Sequence, residues 1–185
     1  MENLTIRRLK PEDAQSVAEL VCRNFYEVNI KDYPADVMQK LADSYTPDKI
    51  LSIAGYAHSY VACLDQVVVG CGSIAPFWGK EDESILLTIF VLPEYQGMGI
   101  GREIIKALEN DMHFLQARRI EIPSSITACS FYRKLGYDYK NGIEELDEEG
   151  LYRLEKFRTL MDLVAEDSVA PKSAATDPGA DPHEG

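Results

Sequence analysis

Gly97, Gly99 and Gly101 occupy alternate positions in "VLPEYQGMGIGREI", residues 91–104, between an apolar run and a segment with helical spacing. Each glycine costs backbone entropy on folding, so a junction stripped of side chains points to a close approach to the main chain. The stretch lacks the GxxxxGK and following Ser or Thr of a P-loop. It also departs from the dinucleotide fingerprint: its spacing is GxGxG, and Pro93-Glu94-Tyr95 separates it from the preceding run. A third reading is a phosphate cradle, in which successive backbone N–H groups at a helix start face an anion that the helix dipole also favours. The alternative is a tight strand-to-helix turn that holds nothing.

Hydrophobic periodicity supplies the elements that position this turn. "LTIRRL" alternates as a strand, and Pro11-Glu12-Asp13 opens a helix with Ala14, Val17, Ala18, Val21, Phe25 and Val28 on one face. Pro34 starts a second helix with Val37, Met38 and Leu41, and Thr46-Pro47-Asp48 caps a third. "YVACL", a break at Asp65-Gln66, and "VVVGCGSI" read as a hairpin. "SILLTIFVL" is apolar throughout, as expected of a strand buried on both faces in mid-sheet. After the turn, Ile104, Ile105, Leu108, Met112 and Leu115 form one helical stripe, followed by the strand "RRIEI". Ser124-Ser125 caps a helix through Ala128 and Phe131 that stops at Gly136, and "YDYK" and "LYRLEKF" close the sheet. The order predicts an α+β fold, a mixed sheet layered with helices.

Two motifs in the correct order carry a resemblance. Val91, Pro93, Tyr95, Gln96, Gly99 and Gly101 form V-x-P-x-Y-Q-x-x-G-x-G, similar to the acetyl-CoA signature of the GCN5-related N-acetyltransferases (GNAT). About 30 residues later, "SITACSFYRKLGY", residues 125–137, resembles that family's later helix, with A-x-x-F-Y and K-L-G-Y. The element order agrees over residues 3–158. The resemblance implies an acyl-CoA N-acyltransferase fold, whose central, mostly antiparallel sheet is flanked by helices.

It implies roles as well. Backbone groups of Ile89, Phe90 and Val91 would pair with the pantetheine arm of acetyl-CoA as an added strand. Gly97, Met98, Gly99, Ile100, Gly101 and Arg102 would hold its pyrophosphate, with Gln96 orienting the turn and Arg102, Arg133 or Lys134 adding charge. Ser125 stands where the family often has an Asn that contacts the cofactor. Tyr132 matches the general acid that serves the departing thiolate; a phenol with pKa near 10 carries its proton at neutral pH. The base departs from the pattern: Leu87 stands where many relatives have Glu, leaving Glu121 on the next strand, Glu83, or a water relay. The acceptor would be selected by "NFYEVNIKDYP" and "APFWGKEDES", where Tyr26, Glu27, Asp32, Tyr33 and Trp78 suit a cation. The activity implied is direct N-acetyl transfer to an amine of a small molecule, amino acid or peptide. A non-catalytic acetyl-CoA sensor or interaction module of the same fold stands beside it, and a nucleotide-binding protein behind both. A homodimer is the oligomer suggested by analogy.

Composition bounds these readings. With 185 residues the chain suits one domain, expected over 1–164, and the acidic, Pro/Ala-rich tail 165–185 is too poor in large apolar residues to offset its ordering entropy. A net charge of -12 argues against nucleic acid and matches a cationic acceptor. No apolar run approaches membrane-spanning length and the first residues lack a secretory signal, so the expectation is a cytoplasmic protein without a membrane partner. Cys22, Cys63, Cys71 and Cys129 form no CxxC pair, which speaks against a zinc site or disulfide framework and for a metal-free enzyme. Cys129 reads as a packing residue, His58 and His113 as surface or structural ones.

Overall fold

The computed structural model describes residues 3–159; the expected tail lies outside them. Alternation in the first segment gives β1 (Leu4–Arg8), and a 3-10 turn at Pro11–Asp13 leads into α1 (Ala14–Glu27). Next come α2 (Ala35–Ser44) and α3 (Pro47–Tyr56), the latter capped by the Thr46 side chain accepting from the Lys49 N–H. The hairpin follows as β2 (His58–Leu64) and β3 (Val67–Pro76). Its break is as read: Asp65 and Gln66 both have positive φ, 47° and 71°, the twist a two-residue hairpin turn requires. β4 (Glu83–Val91), α4 (Ile100–Glu109), α5 (Met112–Gln116) and β5 (Arg119–Ser124) form the crossover unit. Finally α6 (Ile126–Arg133) precedes β6 (Asp138–Tyr139) and β7 (Tyr152–Phe157).

The sheet order is β1-β2-β3-β4-β5-β7-β6, antiparallel except for the parallel pair β4 and β5. That parallel pairing is forced by the helical crossover, which returns the chain to the same end of the sheet. Both faces are covered. Val61, Cys63 and Cys71 point toward Val17, Val21 and Phe25 of α1, while Ala62, Leu86 and Ile120 pack with Ile104, Ile105 and Leu108 of α4. Two strand glycines let α4 settle on β3: a Cβ at Gly72 would lie 2.6 Å from Ile104 Cγ2, and one at Gly70 2.8 Å from Ile104 Cδ1.

Three expectations are corrected. The stripe from Ile104 to Leu115 is not one helix: α4 ends at Glu109, Asp111 caps α5 anew, and Met112 is exposed. A buried Asp111 whose side chain accepts from the His113 N–H restarts the chain at a new angle, which periodicity alone does not register. On α2 the buried residues are Met38 and Ala42, whereas Val37 and Leu41 face solvent. In β4 only Ser84, Ile85 and Leu86 are fully buried; from Leu87 onward the strand is half-buried, because its neighbour leaves it.

Candidate functional site

β4 and β5 pair only at Glu83, Ser84 and Ile85, so the rest of that β4 edge has no strand beside it. On its other side β4 carries a bulge: Leu87 faces Ser73 and Phe90 faces Cys71, leaving Thr88 and Ile89 opposite one β3 residue. Thr88 takes φ +54°, a left-handed conformation costing a β-branched residue roughly 1–2 kcal/mol, and the strand bends there. Beyond the bend, Ile89, Phe90 and Val91 line a cleft of about 410 Å³.

The glycine turn forms the end of this cleft. Gly97 and Gly99 adopt φ +77° and +87°, and a Cβ at either would meet no atom within 4 Å. These positions therefore require glycine for backbone conformation and leave open space rather than packing against protein. The N–H groups of residues 97–101 donate to no other described residue; the first turn of α4 is closed by Arg102 and Glu103, whose N–H groups donate to Gly99 O at 3.0 and 3.2 Å. Five consecutive donors without a partner among the described residues, at a helix N-terminus, are a geometry suited to an anion. Arg102 lines the same space, exposed and without an ion pair among the described residues. Gly101 serves differently: inside α4, it makes room for the Phe131 ring, 3.2 Å from where its Cβ would stand. Met98 is exposed, and Ile100 is buried in the core with only its backbone at the turn.

Gln96 ties the turn to its surroundings. Its Nε2 donates to Val91 O at 3.1 Å and to Asn24 Oδ1 at 3.0 Å, while Asn24 Nδ2 donates to Leu20 O at 2.9 Å. Opposite, Ser125 caps α6 by accepting from the Ala128 N–H at 3.2 Å and lines the cleft with Ala128 and Phe131. The segment between α1 and α2 closes a further wall through Val28 and Asn29. Tyr33 bolts that segment down: its hydroxyl accepts from the Ile126 N–H at 2.9 Å and donates to Gly150 O at 2.8 Å. Thr127 adds a hydrogen bond to Asp32. Sequence reasoning named Tyr33 and Asp32 only as acceptor surface and did not single out Asn24 or Asn29. The available signal was a polar residue at position 24 amid the apolar face of α1.

Tyr132 lies on α6 beside Phe131, 5% exposed, with ring centres 5.1 Å apart. Burial pushes its phenol well above the ordinary tyrosine value. The hydroxyl makes no hydrogen bond with another described residue; Tyr132 belongs to the core cluster and is not among the residues that line the cleft, which its neighbours Ala128 and Phe131 border. Glu121 is placed differently from a free base. It is 3% exposed and held by Arg119 at 2.9 Å, Lys140 at 2.8 Å and Arg153 at 3.9 Å. Arg119 also gathers Glu155 at 3.0 Å and Glu83, whose carboxyl its hydrogen bond holds below the usual range. Leu87 packs against the buried cluster of Ile53, Ala57, Ala75 and Ile85, as Phe77 and Tyr45 do. Arg133 is spent on Asp138 and the Tyr139 ring rather than on the cleft. Trp78, 66% exposed, stands between Tyr56 and Phe77, while Tyr26 and Glu27 sit on the exposed end of α1, where Glu27 pairs with Arg23. The buried Cys71 thiol donates to Thr88 O, and burial pushes it up to about 12, which removes it as a nucleophile.

Among the described residues no helix is long and apolar enough to cross a membrane. A profile of the acetyltransferase (GNAT) family matches residues 17–137. A search of curated proteins finds no significant match. Among solved structures, the PaiA N-acetyltransferase of Thermoplasma acidophilum in complex with coenzyme A superposes with a TM-score of 0.70 at 18% identity, covering 84% of this chain and 99% of that one. A GCN5-related N-acetyltransferase from Rhodopseudomonas palustris gives 0.66 at 24% identity, with 85% and 98% covered. A GNAT acetyltransferase from Brucella melitensis in complex with acetyl-CoA gives 0.60 at 19% identity, with 85% and 89% covered. Similarity at this level concerns the fold, which is the acyl-CoA N-acyltransferase fold. The matched profile spans more than half of the 185 residues, and both motif segments fall within it: the chain belongs to the GNAT acetyltransferase family.

Proposed function

We propose that the protein transfers an acetyl group from acetyl-CoA directly to an amine of a small molecule, amino acid or peptide. The observation that carries this reading is the row of unsatisfied N–H donors at residues 97–101, placed at the end of an unpaired β4 edge. A pyrophosphate carried by a long, strand-like ligand suits that combination: anion at the cradle, amide-bearing arm along Ile89, Phe90 and Val91. Gly97, Met98, Gly99, Ile100 and Gly101 contribute backbone, Arg102 contributes charge, Gln96 fixes the turn, and Ser125 borders the opposite wall.

Tyr132 is assigned as the general acid. Its burial keeps the phenol protonated, so it presents an O–H to the departing thiolate and stabilises charge there as the amine attacks. Burial raises the Cys22, Cys63 and Cys71 thiols, and the buried Cys129 Sγ is turned to the Tyr139 hydroxyl, which supports direct transfer over an acyl-enzyme. Glu121, ringed by cations, is assigned as a positioning residue that organises Arg119, Lys140 and Arg153 near the parting of β4 and β5; the amine proton leaves through solvent. The test is free thiol release from acetyl-CoA across amines, polyamines, amino acids and short peptides, with coenzyme A binding followed by calorimetry. Amine-dependent release is expected. Binding without release for every acceptor favours the sensor reading, and absence of binding overturns both.

A further inference from the structure

His58, Asp111 and His113 meet outside the cleft, where the start of β2 approaches the turn between α4 and α5, and one ligating atom from each lies within 4.8 Å of the others. His58 Nδ1 is 3.0 and 2.8 Å from the two Asp111 oxygens, and the imidazole ring centres are 4.2 Å apart. Asp111 is buried, its side chain 3% exposed, and is oriented by two further donors. The Tyr60 hydroxyl donates to Oδ2 at 2.6 Å and the His113 N–H to Oδ1 at 2.9 Å. An oriented buried carboxylate flanked by two imidazoles is how outer hydrogen bonds prepare a ligand for a cation. We propose that His58, Asp111 and His113 form a binding site for a divalent cation of the Zn²⁺ class, pinning the far end of α4 to β2.

The donor set selects the ion. Two imidazole nitrogens and one carboxylate, without thiolate, suit Zn²⁺ and its first-row neighbours, whereas Ca²⁺ and Mg²⁺ favour all-oxygen shells. With ligands about 2.0–2.2 Å from a tetrahedral ion, donor atoms stand about 3.3 Å apart. The His58–Asp111 pair therefore opens by about half an ångström and the wider separations in the cluster close by at most about 1.5 Å. Both histidines are only half-buried and can make these adjustments. Arg8 lies 3.8 Å from Asp111 Oδ2, but its side chain is 51% exposed and can turn to solvent. No spacing motif announces the cluster, because position 58 is brought to 111–113 only by the sheet and the kink between α4 and α5. The scarcity of paired cysteines bears on thiolate sites alone.

Titration of metal-stripped, full-length protein with ZnCl₂ by calorimetry, with Tm followed in parallel, tests the site. One ion per chain is expected, raising Tm by roughly 5–10 °C when free Zn²⁺ is about a hundredfold above Kd, with no response to Mg²⁺. His113→Ala and His58→Ala should each weaken binding at least about tenfold, while His183→Ala, outside the described residues, leaves it unchanged. Because the histidine variants alter half-buried surface positions, a folded His113→Ala suffices if His58→Ala fails to fold. Absence of Zn²⁺ binding, wild-type affinity in both cluster variants, or loss of binding in His183→Ala overturns the proposal. Coenzyme A binding does not enter the readout, so the test stands apart from the transferase assignment.

Discussion

Tyr132→Phe separates catalysis from stability more sharply than any other single change. A typical internal hydrogen bond contributes about 0.5–1.5 kcal/mol, and the Tyr132 hydroxyl makes none, so removing it strands no partner. The ring, which packs against Phe131 at 5.1 Å and Tyr137 at 6.4 Å, is retained. Folding free energy should therefore change by less than about 0.5 kcal/mol, which for a domain of this size keeps Tm within about 2 °C. Turnover should behave oppositely. General acid catalysis contributes about 10²- to 10⁴-fold, or roughly 2.7–5.5 kcal/mol of activation free energy. Burial weakens Tyr132 as an acid, which places the expected loss of kcat at the lower end, about 10²-fold. Coenzyme A affinity, measured by calorimetry, should stay at the wild-type value because the cradle is untouched. Full kcat in the variant would refute the assignment. A Tm drop of more than about 4 °C would refute the structural premise that the hydroxyl is unpartnered.

Gly99→Ala forces a side chain into the left-handed region at φ +87° and into the open cradle, so coenzyme A affinity should fall at least about tenfold and Tm by about 2–8 °C; unchanged affinity by calorimetry would remove the cradle role. Glu121→Gln leaves Arg119 and Lys140 facing a neutral amide, and should cost about 1–3 kcal/mol in urea unfolding, with kcat reduced no more than the lost structure explains. A stable Glu121→Gln variant with kcat down about 10²-fold would instead make that carboxylate catalytic. The Arg7 hydrogen bonds, at 2.7 and 2.8 Å, hold the Asp13 carboxyl below its usual range. Because the folded value is depressed, this stabilisation is complete above the unfolded pKa and is lost as pH falls below about 4; Asp13→Asn should flatten that acid limb of a Tm-versus-pH curve.

Local chemistry made much of the molecule legible in the chain. Asp65-Gln66 between two apolar, strand-forming runs specifies its hairpin, and Ser125 and Gly136 bound the α6 segment, because turns and caps are decided by a few neighbouring residues. The alternating glycines likewise announce a bare backbone at residues 97–101. Events that depend on distant chain were hidden. α4 and α5 share one apolar period, and only Asp111, held by Tyr60 and His58 from β2, divides them. Glu121 looks like a free carboxylate in "RRIEI" until β7 and Lys140 arrive beside it.

The same division governs the site. Sequence by itself determined the glycine turn, the cap at Ser125, and the presence of Tyr132 next to Phe131, since each follows from residue type and short-range spacing. Tertiary structure decided that β5 parts from β4 after Ile85 and that Thr88 bulges. It also brought Asn24 under Gln96, and Tyr33 across to Ile126 and Gly150. Strand pairing and side-chain contacts between residues 72 to 117 positions apart are set by the packing of whole elements, and no local propensity encodes that.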